Sequence, residues 1–234
     1  MIILSVDSSA GPASAALLDE DKLLGCYYQN CGLTHSATLM PIIDALLKNC
    51  RVTPDMLGLL AVSVGPGSFT GIRIGVSTIK GLSLGLDVPC VGVSTLEAMA
   101  EQLTDREGLA VCVMDARRNQ VYNAVFKLSR GASRITPDRT IEIDALMDEL
   151  TGIDDTVYIV GDGAALVSQA FDGRNIKYTL PFGLIANQTA AGVAYAAKRL
   201  YGEGKSVTPD ELNPVYLRLS QAERELLERG TKQP

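Results

Sequence analysis

Tryptophan is absent from the 234 residues, and aromatic residues make up only 5%. A core built without them must be aliphatic and rich in alanine, which suits helices packed on a sheet. A single histidine, His35, excludes a two-histidine metal site. Five cysteines (Cys26, Cys31, Cys50, Cys90 and Cys112) form no Cys-x-x-Cys pair. Their odd number and scatter point to reduced thiols of a cytoplasmic protein, and away from a metal cluster or a disulfide framework. There is no basic excess: 21 Lys+Arg against 27 Asp+Glu give a formal net charge of -6, so the surface does not advertise nucleic-acid binding of its own. No run reaches the ~18 uncharged apolar residues of a spanning helix, and no membrane partner is expected. Residues 1–7 lack a basic n-region and read as a first strand, not as a signal peptide.

What is present is a duplication. "IILSVDSSAGPASAALLDED" begins at Ile2 and "VCVMDARRNQVYNAVFKLSRG" at Val111. Each is an apolar strand ending in Asp, then a polar turn, a second alternating strand and a charged turn. A gapless alignment pairs Asp7 with Asp115, Val6 with Met114 and Leu17 with Val125. A helix follows each hairpin, at 36–50 and 141–150. Next come a strand ending in glycine (Gly65-Pro66-Gly67 and Gly161-Asp162-Gly163), a helix at 70–86 and 163–171, a strand at 88–93 and 175–180, and a helix at 95–103 and 187–201. Strands alternating with helices predict an α/β fold of mixed sheets flanked by helices. Two copies predict two ribonuclease-H-like lobes facing across a cleft, the architecture of the actin, Hsp70 and sugar-kinase group. The expected boundaries are 1–104 for the first lobe and 105–209 for a second, degenerate one. A charged helix at about 220–230 should pack back on the first lobe, after an extended "NPVYLRL".

The catalytic motifs of that architecture are incomplete. Gly67 to Gly71 has the wrong spacing for a Walker A loop, and Ile72 stands where its Lys belongs. The run Gly65-x-Gly67-x-x-x-Gly71 fails the dinucleotide fingerprint. Nucleotide-binding members of the actin-like group carry Asp-x-Gly-Thr/Ser after strand one. Here the turn is Asp7-Ser8-Ser9-Ala10-Gly11, and the second lobe has Asp115-Ala116-Arg117-Arg118. A vestigial anion seat is the most that Asp7, Ser8, Ser9, Gly65, Gly67 and Ser68 would form, at the start of the 70–86 helix. No set of carboxylates accompanies Asp7 for two-metal chemistry, and no Gly-x-Ser-x-Gly elbow occurs.

The glycines carry a second signal. Gly71 and Gly75 are four apart, as are Gly81 and Gly85. Each costs a helix roughly 1 kcal/mol against alanine, so a packing reason is expected. Either the helix lies close on its own sheet or it admits a helix of a second subunit. The preceding helix favours the partner, because its apolar residues spread beyond the ~100° stripe of a one-faced helix. The expected interface is Leu39, Met40, Ile43, Leu46, Leu47, Gly71, Gly75, Ile79 and Leu82.

"SVGPGSFTGIRIG" (63–75), "HSATLMPIID" (35–44), "MDARRNQVY" (114–122) and "NPVYLR" (213–218) together resemble the signatures of the bacterial TsaB family, also called YeaZ. The resemblance spans essentially the whole chain. It implies a non-catalytic subunit that dimerises with and supports TsaD, a larger actin-like protein holding the catalytic metal and nucleotide. With TsaD and the ATPase TsaE, such subunits support transfer of a threonylcarbamoyl group to the tRNA adenosine next to the anticodon. TsaD carries a His-x-x-x-His metal pair, where this chain has His35 and Leu39. The resemblance also implies homodimers, and heterodimers with TsaD, through helices 34–50 and 70–86. No cofactor of its own, ATP or ADP only at the complex interface, and tRNA contact only through the complex are expected. The alternative is a self-sufficient ATP-dependent small-molecule kinase of the actin-like group.

Overall fold

The alternating apolar residues of the first strand divide between two helical layers, and this division organises the whole chain. The computed structural model describes residues 1–171, 174 and 176–218. In it β1 (Ile2–Asp7) pairs antiparallel with β2 (Ala13–Asp19), which pairs with β3 (Lys22–Gln29). On its other side β1 runs parallel to β4 (Leu57–Gly65), and β4 to β5 (Cys90–Ser94), giving a sheet of order β3-β2-β1-β4-β5. Leu4, Val6, Leu17 and Val62 face α1 (His35–Cys50) and α2 (Phe69–Leu86), meeting Leu39, Ile43, Leu46, Ile72 and Ile79. Ile3, Leu18, Leu59 and Val91 face the opposite way.

The second sheet is built from β6 (Gly108–Asp115), β7 (Gln120–Leu128), β8 (Ala132–Arg134), β10 (Val157–Val160) and β11 (Tyr178–Thr179), with β9 (Arg139–Glu142) also pairing with β7. α4 (Ile143–Leu150) and α5 (Ala164–Phe171) cover one face, against Val111, Val113, Val125 and Ile159. The two remaining helices change places. α3 (Thr95–Glu101), from the first half, lies on the second sheet through Leu96, Met99 and Ala100. α6 (Ala190–Gly202), from the second half, lies on the first through Val193, Ala194 and Ala197. The two helices pack on each other between the sheets. Small residues permit this: a Cβ on Gly192 of α6 would stand 2.1 Å from the carbonyl oxygen of Ala98 in α3. The alanine-rich core expected from the composition is concentrated in this middle layer.

Local expectations held for the long helices and failed where pairing is non-local. β3, β8 and β9 were not anticipated, and residues 139–142 are strand because they pair with residues 120–123 of β7. Of the strand expected at 175–180, the described residues 176–180 include one only at Tyr178–Thr179, and residue 175 lies outside the described residues. The gapless alignment of the hairpins is also corrected. Asp7 pairs with Ser14 but Asp115 with Val121, so the second turn is one residue shorter. By strand alternation Asp7 belongs to the α6 face of its sheet, with Ser5, and Asp115 to the α4/α5 face, with Val111 and Val113. The duplication is one of lobes, not of residues at fixed offset. The terminal helix expected at about 220–230 lies outside the described residues.

Candidate functional site

The lobes enclose a cleft of about 680 Å³ at the ends of β1, β4 and β6. Its first-lobe wall is Ser9–Gly11 and Gly67–Thr70, and its second-lobe wall includes Asp115, Arg117, Tyr122 and Asp162. Of the residues expected as an anion seat, Ser9, Gly67 and Ser68 line it; Asp7, Ser8 and Gly65 do not.

Asp7 is buried, and its own chain occupies both of its oxygens. Oδ1 accepts from the Ser9 amide (3.0 Å) and the Ser9 hydroxyl (2.8 Å), and Oδ2 accepts from Ser63 of β4. Burial pushes the Asp7 carboxyl up from the ordinary carboxylate range, against these hydrogen bonds. The turn is stitched to the glycine loop as well: the Ser68 amide donates to the Ser9 carbonyl (2.7 Å), and the Ser8 hydroxyl to the Gly71 carbonyl (2.8 Å). Gly67, at φ +155°, brings its Cα so close that a Cβ would stand 2.3 Å from the Ser9 carbonyl oxygen. Phosphates wrapped between this turn and this loop would need the space the two segments fill with each other.

His35 is tied down too. Its Nε2 lies 2.8 Å from the Ala10 carbonyl oxygen, so that nitrogen carries the proton. Leu39, one turn on, is buried in the core. Among the described residues no group of three or more His, Cys, Asp or Glu could hold a metal ion.

The glycines of α2 have two different surroundings. A Cβ on Gly71 would stand 2.0 Å from the Ser8 carbonyl oxygen, and one on Gly75 2.6 Å from the Ser8 hydroxyl. These two admit the β1 turn of the same chain, which corrects their assignment to a partner surface. Gly81 and Gly85 have no heavy atom within 4 Å of a Cβ. They lie on the exposed side of α2 with Arg73, Ser77 and Leu84. Of the other residues expected to meet a partner, Leu39, Ile43, Leu46 and Ile79 lie in the chain's own core, and Leu47 and Leu82 are half-buried against it. Met40 of α1 is open, at 47% exposure, as are Leu33 (60%), just before α1, and Leu84 (67%) of α2. Leu33 and Leu84 escaped sequence reasoning, which weighed the helix residues by spacing and not by which side the sheet already occupies.

Two further groups were not anticipated. Phe69 at the start of α2 stacks on Tyr216 with centroids 4.4 Å apart, and Arg73 Nε donates to the Tyr216 hydroxyl (2.8 Å). Behind the cleft, Arg199 of α6 pairs with Glu97 and Glu101 of α3 and with Glu203, while Glu97 also pairs with Arg134 of β8. The alternating strand and helix signals carry no mark of either.

Comparison with known proteins identifies the family. A family model described as TsaD, tRNA N6-adenosine threonylcarbamoyltransferase, matches residues 29–204. The tRNA threonylcarbamoyladenosine biosynthesis protein TsaB of Bacillus subtilis is 32% identical over 97% of this chain and 99% of its own. The solved structure of YeaZ from Pseudomonas aeruginosa superposes with a TM-score of 0.77 over 92% of this chain and 99% of its own, at 23% identity. Component A of the (R)-2-hydroxyglutaryl-CoA dehydratase of Acidaminococcus fermentans shares the fold, with a TM-score of 0.53 over 87% of this chain and 98% of its own, at 12% identity. No helix of the described residues is long and apolar enough to cross a membrane. The chain belongs to the TsaB (YeaZ) family of proteins of tRNA threonylcarbamoyladenosine biosynthesis.

Proposed function

We propose that this chain is a non-catalytic subunit that docks on a TsaD-type partner through the outer side of α1 and α2. Docking supports transfer of the threonylcarbamoyl group to the tRNA adenosine next to the anticodon. The observation that carries this reading is the contrast between the two candidate sites. The cleft turn is closed by Asp7, Ser9 and Ser63 bonding among themselves, whereas Leu33, Met40 and Leu84 expose apolar side chains beside or on α1 and α2, and Gly81 and Gly85 have no heavy atom within 4 Å of a Cβ. Gly81 and Gly85 let another backbone approach α2 closely, as small residues do wherever helices pack tightly. The same side serves a homodimer when TsaD is absent. TsaE and tRNA then join through the complex, and ATP or ADP binds at its shared interface, not in this chain's cleft. The kinase alternative would need the cleft to accept phosphates beside a buried, fully engaged Asp7.

The test is threonylcarbamoyl transfer to an unmodified tRNA transcript by TsaD and TsaE of the same organism. Product should form with the chain and fall to background without it. A chain that turns over ATP and a small-molecule acceptor alone, with no effect on the tRNA reaction, would establish the kinase reading instead.

A further inference from the structure

Residues 212–218 cross from one lobe to the other along the edge of the cleft. Leu212 is buried in the core between the first sheet and α2. The Val215 amide donates to the Val64 carbonyl of β4 (2.8 Å). Val215 runs so close to β4 that a Cβ on Gly65 would stand 2.3 Å from its carbonyl oxygen. Tyr216 is held to α2 by the Phe69 stack and by Arg73, whose guanidinium carbon also lies 5.5 Å from the centre of its ring. Then the partners change. Leu217 packs against the second-lobe core, which contains Tyr122 and Phe126, and Arg218 donates to the carbonyl of Ala116, just after β6. Pro66, Phe69, Val215 and Leu217 border, with Tyr122, a crevice too narrow for a water molecule.

The lobes are also joined on another side, where α3 and α6 cross and Glu97 bridges Arg199 to Arg134. A pocket of about 620 Å³ between those helices shares no lining residue with the cleft. One connection of this kind is a pivot and leaves the lobes free to rotate about it. A second, placed apart from the first, removes that rotation. We infer that residues 212–218 are an interlobe strap that holds the cleft at one fixed opening, doing permanently what a bound ligand does transiently in a two-lobed clamp. Its anchors are Tyr216 on the first lobe and Arg218 on the second. The glycine at position 65 is there to admit it.

The test is a distance measurement in the whole chain. p-Acetylphenylalanine placed at Asp55 and Ala145, both exposed and one in each lobe, takes ketone-directed spin labels and leaves the five cysteines untouched. Electron–electron double resonance on the otherwise unaltered chain should give one narrow distribution, unmoved by millimolar ATP and magnesium. Tyr216→Ala with Arg218→Ala should broaden it and add longer distances. Arg218→Ala alone removes one partly exposed side chain and serves if the double variant does not fold; it should broaden the distribution by a smaller amount. A broad distribution in the unaltered chain, or one that Arg218→Ala and the double variant leave unchanged, would overturn the strap.

Discussion

Replacing Gly71 with alanine separates packing within the chain from packing against a partner. The new Cβ would stand 2.0 Å from the Ser8 carbonyl oxygen and 3.2 Å from Cδ2 of His35. Carbon and carbonyl oxygen approach no closer than about 3.3 Å even in favourable contacts, so α2 or the turn must retreat by about 1 Å. The turn resists, because the amide and hydroxyl of Ser9 are fixed on Asp7. Overpacking of this kind costs about 1–3 kcal/mol. The better helix propensity of alanine returns roughly 1 kcal/mol. An obstacle made of backbone belongs near the upper end of that range, which leaves a net loss of about 1–2 kcal/mol. Gly81→Ala and Gly85→Ala meet nothing within 4 Å, so each should gain up to roughly 1 kcal/mol. Urea unfolding followed by circular dichroism reads all three, at a concentration where chromatography shows the monomer. The midpoints should fall in the order Gly81→Ala, unaltered chain, Gly71→Ala. A Gly71→Ala chain as stable as the parent, or a destabilised Gly81→Ala, would refute the reasoning.

Three further outcomes follow from named contacts. Burial raises the Asp7 carboxyl, so this group's contribution to stability is full below the ordinary carboxylate value of about 3.9 and is lost as pH rises through its higher folded value. The difference in stability between Asp7→Asn and the parent should therefore grow in favour of the variant from acid towards neutral pH; a flat difference would contradict the buried acid. Arg199→Met removes the partner of Glu101, whose carboxyl burial already pushes up, and should cost about 1–2 kcal/mol in thermal or urea unfolding, the exposed part of Arg199 keeping the loss below that of a fully buried pair. Among the cysteines, exposed Cys31 should react first with a thiol reagent, while Cys90 and Cys112, both buried, with their thiols pushed up by that burial, react only on unfolding; rapid modification of Cys112 in the folded chain would count against the second-lobe core.

What was legible in the sequence was whatever depends on neighbours in the chain. The helical spacing expected at 36–50 and 70–86 located α1 and α2 to within a residue, and the glycine-ended strand before the second helix is β4. The phosphate motifs read as incomplete from neighbouring residues alone, but nothing local marks the bond that ties Asp7 to Ser63, 56 residues away. Long-range pairing left no local mark. Residues 139–142 became strand because of β7, and the hairpin turns differ by one residue, which moves Asp115 off the face of Asp7. The glycine spacing was visible but its meaning was not, because Gly71 and Gly81 differ only in what the fold brings beside them. Tyr216 and Arg218 read as part of an extended signature segment with no contacts assigned, and it is the fold that places Phe69 and Ala116 against them.

The docking surface is tested most directly by chromatography with light scattering on the chain mixed with TsaD of the same organism, beside a Leu84→Glu variant. Leu84 is 67% exposed on the outer side of α2, so a charge there leaves the fold intact. The unaltered chain should elute with TsaD at the mass of a one-to-one complex, and Leu84→Glu should elute apart from it at its own mass. A chain that ignores TsaD, or a Leu84→Glu chain that joins it as readily as the parent, would contradict docking through α1 and α2.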